Sequence, residues 1–149
     1  MNLETDITQK MKEAMKAKDK PKLEAIRAIK NAILQEKTKA GAGDTIDEAT
    51  ELKMLQKLVK QREDSAEIYR KENRQELAEQ EEFEAGIIRE FLPEQMSEVD
   101  ITAEIEQIIT DTGASSMKDM GKVMGMANKA MAGRADGKLI ADIVKAKLQ

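Results

Sequence analysis

The chain has 149 residues, of which 36% are charged and only 2% aromatic, and its formal net charge is −4. This composition is typical of an all-α protein with an aliphatic and methionine-rich core, built as one ordinary domain or two small ones. Because the chain contains neither cysteine nor histidine, disulfide frameworks, thiolate metal sites and histidine-dependent catalysis are excluded.

The first 40 residues are expected to form a helical hairpin that breaks at Asp19-Lys20-Pro21. Apolar residues recur at helical spacing on both sides of the break, at Leu3, Ile7, Met11 and Met15 and then at Leu23, Ile26, Ile29 and Ile33. This segment carries 10 basic and 6 acidic side chains. A solvated lysine-rich face is the simpler interpretation. The alternative is that these lysines extend a basic surface formed by the end of the chain.

A surface loop is expected at 40–44, and a long third helix is expected to open around Thr45 to Asp47. This helix should lie along a fourth helix that ends at Leu92-Pro93, much as in a coiled coil. The third helix has its seam at Leu52, Leu55, Val59, Arg62, Ala66 and Tyr69, and the fourth at Leu77, Phe83, Ile87, Ile88 and Phe91. Arg62 is expected to pair with Glu63 or Asp64, or to extend to the seam's edge, rather than to act in catalysis.

The middle of the chain is strongly acidic and should repel nucleic acid. Residues 41–112 hold 20 acidic and 8 basic side chains, a charge of −12. A carboxylate metal site in a helical bundle is disfavoured, because such sites use Glu-x-x-His motifs and the chain has no histidine. A solvated acidic face is the preferred interpretation.

A domain boundary is expected at Pro93 to Met96, which gives an N-terminal α-helical domain at 1–93 and a C-terminal three-helix bundle at 97–149. Ser97 has the character of a helix N-cap, and Gly113 stands where a left-handed C-cap belongs. The helix between them should bury Val99, Ile101, Ile105, Ile108 and Ile109.

The last 37 residues are expected to form two short helices joined by a tight turn from Gly133 to Gly137. Their buried stripes are Met117, Met120, Met124, Ala127 and Met131 in the first helix, and Leu139, Ile140, Ile143, Val144 and Leu148 in the second. Gly121 and Gly125 each cost about 1 kcal/mol in a helix interior, so we expect another backbone to come close there. A phosphate-binding loop is disfavoured, since neither the Walker spacing nor a preceding strand is present.

The polar positions of this tail are mostly basic. Residues 113–149 carry seven basic and three acidic side chains, a charge of +4 on a chain of net −4. A cationic helical segment joined to an acidic body favours an anionic partner.

Several motifs resemble the YqeY family. They are Lys60-Gln61-Arg62-Glu63-Asp64-Ser65, Phe91-Leu92-Pro93-Glu94-Gln95-Met96-Ser97, Gly113-Ala114-Ser115-Ser116, the run from Asp119 to Gly125, and Gly133-Arg134-Ala135-Asp136-Gly137. The family's tail is similar to the C-terminal domain of the B subunit of the tRNA-dependent amidotransferase. That similarity implies contact with the outer body of a tRNA. It also raises the possibility of a role in glutamine-dependent carbon–nitrogen ligation.

The leading hypothesis is therefore a non-catalytic, cytoplasmic protein that binds tRNA or a tRNA-processing enzyme, without cofactor, metal or membrane. The predicted phosphate contacts are Lys118, Lys122, Lys129, Arg134, Lys138 and Lys145, and the predicted packing and turn glycines are Gly113, Gly121, Gly125, Gly133 and Gly137. Because Tyr69, Phe83 and Phe91 are assigned to buried faces outside the tail, base stacking is not expected. The alternatives are a carbon–nitrogen ligase accessory component and a protein–protein adaptor.

Overall fold

The structure of the chain is a computed structural model that describes residues 2–39 and 45–149. These residues contain no strand. Their helices are α1 (Leu3–Lys16), α2 (Lys20–Lys39), α3 (Glu48–Lys71), α4 (Gln75–Arg89), α5 (Glu98–Thr112), α6 (Met120–Ala130) and α7 (Gly137–Leu148), with a 3-10 turn at Met117–Asp119. The all-α prediction is confirmed. The predicted loop at 40–44 lies outside the described residues, and none of the described helices is long and apolar enough to cross a bilayer.

The chain divides into two compact units, Met1–Leu92 and Pro93–Gln149, referred to below as the first and second units. In the first unit α1 pairs with α2, α3 pairs with α4, and α2 packs against α4. The core draws on all four helices, and among its fully buried large residues are Ile7, Ile26, Ile29, Leu55 and Ile88. The alternation of apolar residues at three and four positions gives each helix one buried stripe, which accounts for this layering.

Arg62 makes an ion pair, but not with the residues expected. Its Nε lies 3.0 Å from an oxygen of Glu84 and 3.7 Å from one of Glu81, both on α4. The prediction of Glu63 or Asp64 as partner is wrong, because residues one or two apart on a helix do not face each other. Glu63 pairs instead with Arg89. These pairs cross from α3 to α4 and help to fix the register of the hairpin.

Two predicted core positions of α4 are exposed. Phe83 is 45% exposed and Leu77 is 38% exposed, whereas Ala78 and Ala85 are fully buried. The seven-residue spacing of the alanines places them on one stripe, from which Phe83 is rotated away. Small residues there let α3 and α4 approach closely, so helical phase rather than residue size decides which side chains of α4 are buried.

The second unit is a three-helix bundle of α5, α6 and α7. Its core contains ten buried residues, which in chain order are Ile101, Ile105, Ile108, Val123, Ala127, Met131, Ala135, Ile140, Val144 and Leu148. Ser97 caps α5 by accepting a bond from the Asp100 N–H at 3.1 Å, and Gly113 ends it in the left-handed region at φ 69°. Both capping predictions are confirmed.

Two apolar residues predicted for the core of the second unit are exposed. Val99 is 77% exposed, because it lies off the stripe that begins at Ile101. Met117 is 41% exposed, because it belongs to the 3-10 turn rather than to α6. Val123, which is not part of the predicted stripe, is fully buried.

Two of the sequence motifs meet inside this unit. The Gln95 side-chain amide donates to the Gly133 carbonyl at 2.7 Å, and the Met96 N–H donates to the Arg134 carbonyl at 2.8 Å. Gly133 is buried and adopts a left-handed φ of 73°, a conformation that glycine adopts without steric cost. The segment before α5 therefore holds the turn between α6 and α7 in place.

Candidate functional site

Three of the predicted phosphate contacts are exposed on α6 and the turn before it. Lys122 and Lys129, seven residues apart, lie on the same side of α6, and Lys118 lies in the 3-10 turn that precedes the helix. They are referred to below as the lysine stripe. The helix itself, MGKVMGMANKA, has no acidic residue. The preceding Asp119 uses its carboxylate to accept the Ser115 N–H at 3.0 Å.

The lysine stripe has no ionic partner among the described residues. None of its members comes within ion-pair distance of a described carboxylate. Lys122 also lies in the first turn of α6, which carries no acidic residue. Cations at this end oppose the helix dipole, at a cost of about 0.3–1 kcal/mol for each exposed charge. Folding alone does not explain this arrangement, and it leaves an exposed cationic surface.

Gly121 and Gly125 flank the stripe on the same exposed side, which corrects the packing prediction. A Cβ built on either residue would meet no heavy atom of its surroundings within 4 Å. The close backbone contact predicted for these glycines is therefore not made within the described residues. Their phase differs from that of the buried Val123 and Ala127, so they point away from the bundle. The helix-propensity cost of two glycines has no offset in the bundle's own packing.

The other predicted phosphate contacts lie elsewhere on this unit. Arg134 is exposed in the turn between α6 and α7, and its backbone is engaged by Met96. Lys138 and Lys145, seven residues apart, are exposed on one face of α7. Asp142 lies on the same face, four residues after Lys138 and three before Lys145. That carboxylate reduces the positive potential of the α7 face. The described structure thus groups Lys118, Lys122 and Lys129 more clearly than the other three.

Lys147, the remaining base of the second unit, is engaged in the fold. Its Nζ lies 2.7 Å from a carboxylate oxygen of Glu106 on α5. This ion pair joins α7 to α5, so the side chain is not available in the way that the stripe lysines are.

The second unit as a whole is not cationic, which corrects the picture of a basic module. Residues 93–149 carry seven basic and nine acidic side chains, a net charge of −2. The acids concentrate on α5, whose sequence EVDITAEIEQIITDT has no base. Because α6 has two bases and no acid, and α7 has three bases and one acid, the unit is bipolar, with its acidic side chains on α5 and its positive charge on α6 and α7.

A further polar cluster lies in the first unit, around Arg62 and Glu84. Burial raises the pKa of Glu84, while the neighbouring Arg62 acts in the opposite direction. The described residues hold no group of three or more acidic side chains placed to bind a metal ion. Two open surface depressions, one at 73–77 and one along Glu98, Val99, Thr102, Ala103 and Glu106, contain none of the predicted contact residues.

The aromatic residues are absent from the second unit. Tyr69, Phe83 and Phe91 all belong to the first unit. The expectation that all of them are buried is wrong for Phe83, which is 45% exposed on α4. The lysine stripe still has no aromatic neighbour in its own unit, so a ligand there would be recognised by charge and shape.

Comparison with known proteins places the chain in a family. It is 33% identical over 113 residues to "Altered inheritance of mitochondria protein 41, mitochondrial" of Lachancea thermotolerans, a match that covers 74% of this chain and 60% of that relative. It is 30% identical over 98 residues to an uncharacterised protein of Schizosaccharomyces pombe, covering 66% of this chain and 78% of the relative. The family model described as Yqey-like protein matches residues 4–148, and the chain therefore belongs to the YqeY family.

Proposed function

We propose that the protein binds folded RNA, with tRNA as the first candidate, through the lysine stripe of α6. The observation that supports this most directly is a row of exposed cations without ionic partners among the described residues, on a helix that has no acidic residue. Lysines neutralise phosphates and release counterions, which supplies most of the sequence-independent affinity of nucleic-acid binding. Gly121 and Gly125 leave room for an RNA backbone to approach the helix.

The mode of binding follows from what surrounds the stripe. Because the second unit has no aromatic residue, it offers no platform for stacking the bases of a single strand. Recognition would therefore depend on contacts to the phosphates and on the shape of a folded RNA. The resemblance of the tail to an amidotransferase domain favours the same substrate class, and the protein would act as a binder rather than as a catalyst.

The proposal is tested by reversing charge on the stripe. Lys122→Glu should strengthen α6, because a carboxylate in the first turn suits the helix dipole and removes repulsion from Lys118. The same change should weaken binding of unfractionated tRNA. For Lys122→Glu/Lys129→Glu, the slope of log affinity against log salt should flatten by about 0.7–0.9 for each phosphate that is no longer neutralised. Lys129 lies in the last turn of α6, where a carboxylate is unfavourable, so the gain in stability is expected for Lys122→Glu alone. A loss of affinity in that more stable variant cannot be attributed to unfolding.

The matched control is Lys57→Glu/Lys60→Glu on α3, which changes the net charge equally. Both residues are exposed and form no ion pair with a described residue. The control should affect tRNA binding much less than the stripe variant. Equal effects of the two variants would show that only net charge matters and would refute a site on α6.

A protein–protein adaptor is the second candidate, because the exposed glycines four residues apart on α6 also leave room for a partner helix. Complexes recovered with the tagged protein distinguish the two. An RNA-dependent complex should be lost after nuclease treatment and at high salt, whereas a helix-mediated protein complex should survive both.

The cytoplasmic location expected from the sequence remains a prediction. One relative carries a mitochondrial name, and tRNA occurs in both compartments. Fractionation of cells that express the full natural protein would decide between them.

A further inference from the structure

A second cluster of exposed cations surrounds the turn between α1 and α2. Five of the 11 residues at 12–22 are lysines. Lys12, Lys16, Lys18 and Lys20 are exposed, and none forms an ion pair with a described carboxylate. These four residues are referred to as the hairpin tip. We propose that the hairpin tip is a second phosphate-binding surface for RNA. This inference rests on the proposed function.

The nearby carboxylates do not neutralise the tip. Glu13 accepts from Gln9 at 3.2 Å and lies 3.6 Å from Lys10, and these neighbours lower its pKa. Asp19 accepts the Lys22 N–H at 3.2 Å, which caps the start of α2. Both acids keep their charge, so residues 12–22, with five lysines and two acids, retain a net charge of +3.

Lys18 occupies a position that suits glycine better. It has a left-handed φ of 57° and forms the C-terminal motif of α1, in which the Lys18 N–H donates to the Met15 carbonyl and the Asp19 N–H to the Ala14 carbonyl. A residue with a Cβ costs about 1–2 kcal/mol in this conformation. The fold would be better served by glycine, so the lysine side chain has no evident structural reason to be there.

Lys20 also opposes the local electrostatics of the fold. It is the first residue of α2, whose first turn carries no acidic residue. A cation at this end is unfavourable to the helix dipole. Lys16, by contrast, lies in the last turn of α1, where a cation is favourable. Lys18 and Lys20 thus occupy positions where lysine is unfavourable to the stability of the fold, as Lys122 does on α6.

RNA suits the tip better than a membrane surface does. An interfacial helix inserts an apolar face into the lipid, but α1 buries Leu3, Ile7 and Ala14 in the core of its own unit. Met15, 55% exposed, is its one large apolar residue described as exposed. The exposed surface at 12–22 is polar and carries five lysines against Glu13 and Asp19, which suits the phosphates of a nucleic acid better than the interior of a lipid layer.

The test uses the full chain and unfractionated tRNA. In Lys16→Glu/Lys20→Glu the two effects on helix dipoles have opposite signs, so the stability of the first unit should change little. We expect about tenfold weaker tRNA binding near 0.1 M salt and a salt slope flatter by about 1.5, at roughly 0.7–0.9 for each phosphate. Lys57→Glu/Lys60→Glu again serves as the charge-matched control. Lys18→Gly should weaken binding slightly while it stabilises the fold.

The outcomes separate this inference from the proposed function. If the tip variant binds no worse than the control while the stripe variant loses affinity, the tip does not touch RNA and the RNA-binding function stands. If the wild-type chain does not retain tRNA, both proposals fall. Flotation with phosphatidylglycerol vesicles that requires the tip lysines, together with unchanged tRNA affinity, would assign the surface to membranes instead.

Discussion

Replacing Gly121 and Gly125 by alanine should stabilise α6 and at the same time weaken the proposed binding of RNA to it. Neither new methyl group would meet a heavy atom of its surroundings within 4 Å, and neither residue has a left-handed φ. The full helix-propensity gain of about 1 kcal/mol is therefore expected at Gly125 in the interior of α6, and a smaller gain at Gly121 in its first turn. Opening of α6 should become about 5-fold rarer for Gly125→Ala, and rarer still, though by less than about 30-fold, when both are replaced.

Hydrogen exchange at the α6 amides is the appropriate assay. All three aromatic residues belong to the first unit, so intrinsic fluorescence does not report on the second. We expect slower exchange in Gly125→Ala and severalfold weaker tRNA binding, because the methyl group stands between Lys122 and Lys129. Gly86→Ala on α4 is the control, since a Cβ there also meets nothing within 4 Å. It should stabilise the first unit without affecting tRNA binding.

Two results would refute this reasoning in different ways. Exchange that is unchanged or faster in the alanine variants would show that these glycines are needed for the fold of α6. Slower exchange with unchanged tRNA affinity would show that their exposed surface does not touch the RNA, even if the lysines do.

Gln95→Ala should destabilise the second unit by about 1–2 kcal/mol, because it removes the donor to the buried Gly133 carbonyl. Hydrogen exchange checks this, with Gln107→Ala as a nearly neutral control, since that amide bonds only to the exposed Asp111 within α5. For Glu84, a raised pKa means that its contribution to stability is largest below the ordinary value of 4.5 and is lost as pH rises through the folded-state value. The unfolding free energy of wild type minus that of Glu84→Gln, from urea titrations between pH 4 and 7, should therefore fall with pH; a rise would mean that attraction to Arg62 outweighs burial.

Much of the fold could be predicted because local rules act strongly in this chain. Proline after the α1 turn, serine before α5 and glycine after it each mark a boundary that the structure also has. The errors arise where the helical phase of a residue, rather than the size or hydrophobicity of its side chain, decides whether it is buried. Hydrophobicity alone predicts Phe83 and Val99 in the core, whereas helical geometry rotates both to the surface.

The candidate site was harder to predict, because it depends on which side chains find partners. Lys122 and Lys147 look alike in the sequence, yet one is without an ionic partner among the described residues and the other reaches Glu106 on a different helix. Likewise, nothing local indicates that Gly121 and Gly125 face open space rather than a neighbouring helix. The tip could have been found from the lysine density at 12–22, which is five in 11 residues with Lys22 included. The left-handed φ of Lys18 and the unfavourable position of Lys20 in the dipole of α2 are visible only in three dimensions.

Because acidic side chains lie on α5 and lysines on α6, the ionic strength determines which charges of the second unit act on an approaching polyanion. A helix is about 10–12 Å across, whereas the Debye length is about 8 Å at physiological salt. Near 0.15 M, a polyanion beside α6 is screened from carboxylates one helix away and experiences mainly the lysines. Near 0.01 M the Debye length grows to about 30 Å, and the unit's net charge of −2 acts as a whole. With RNA as the proposed partner, its approach would then be slowed by the acidic helix and turned so that α6 arrives first.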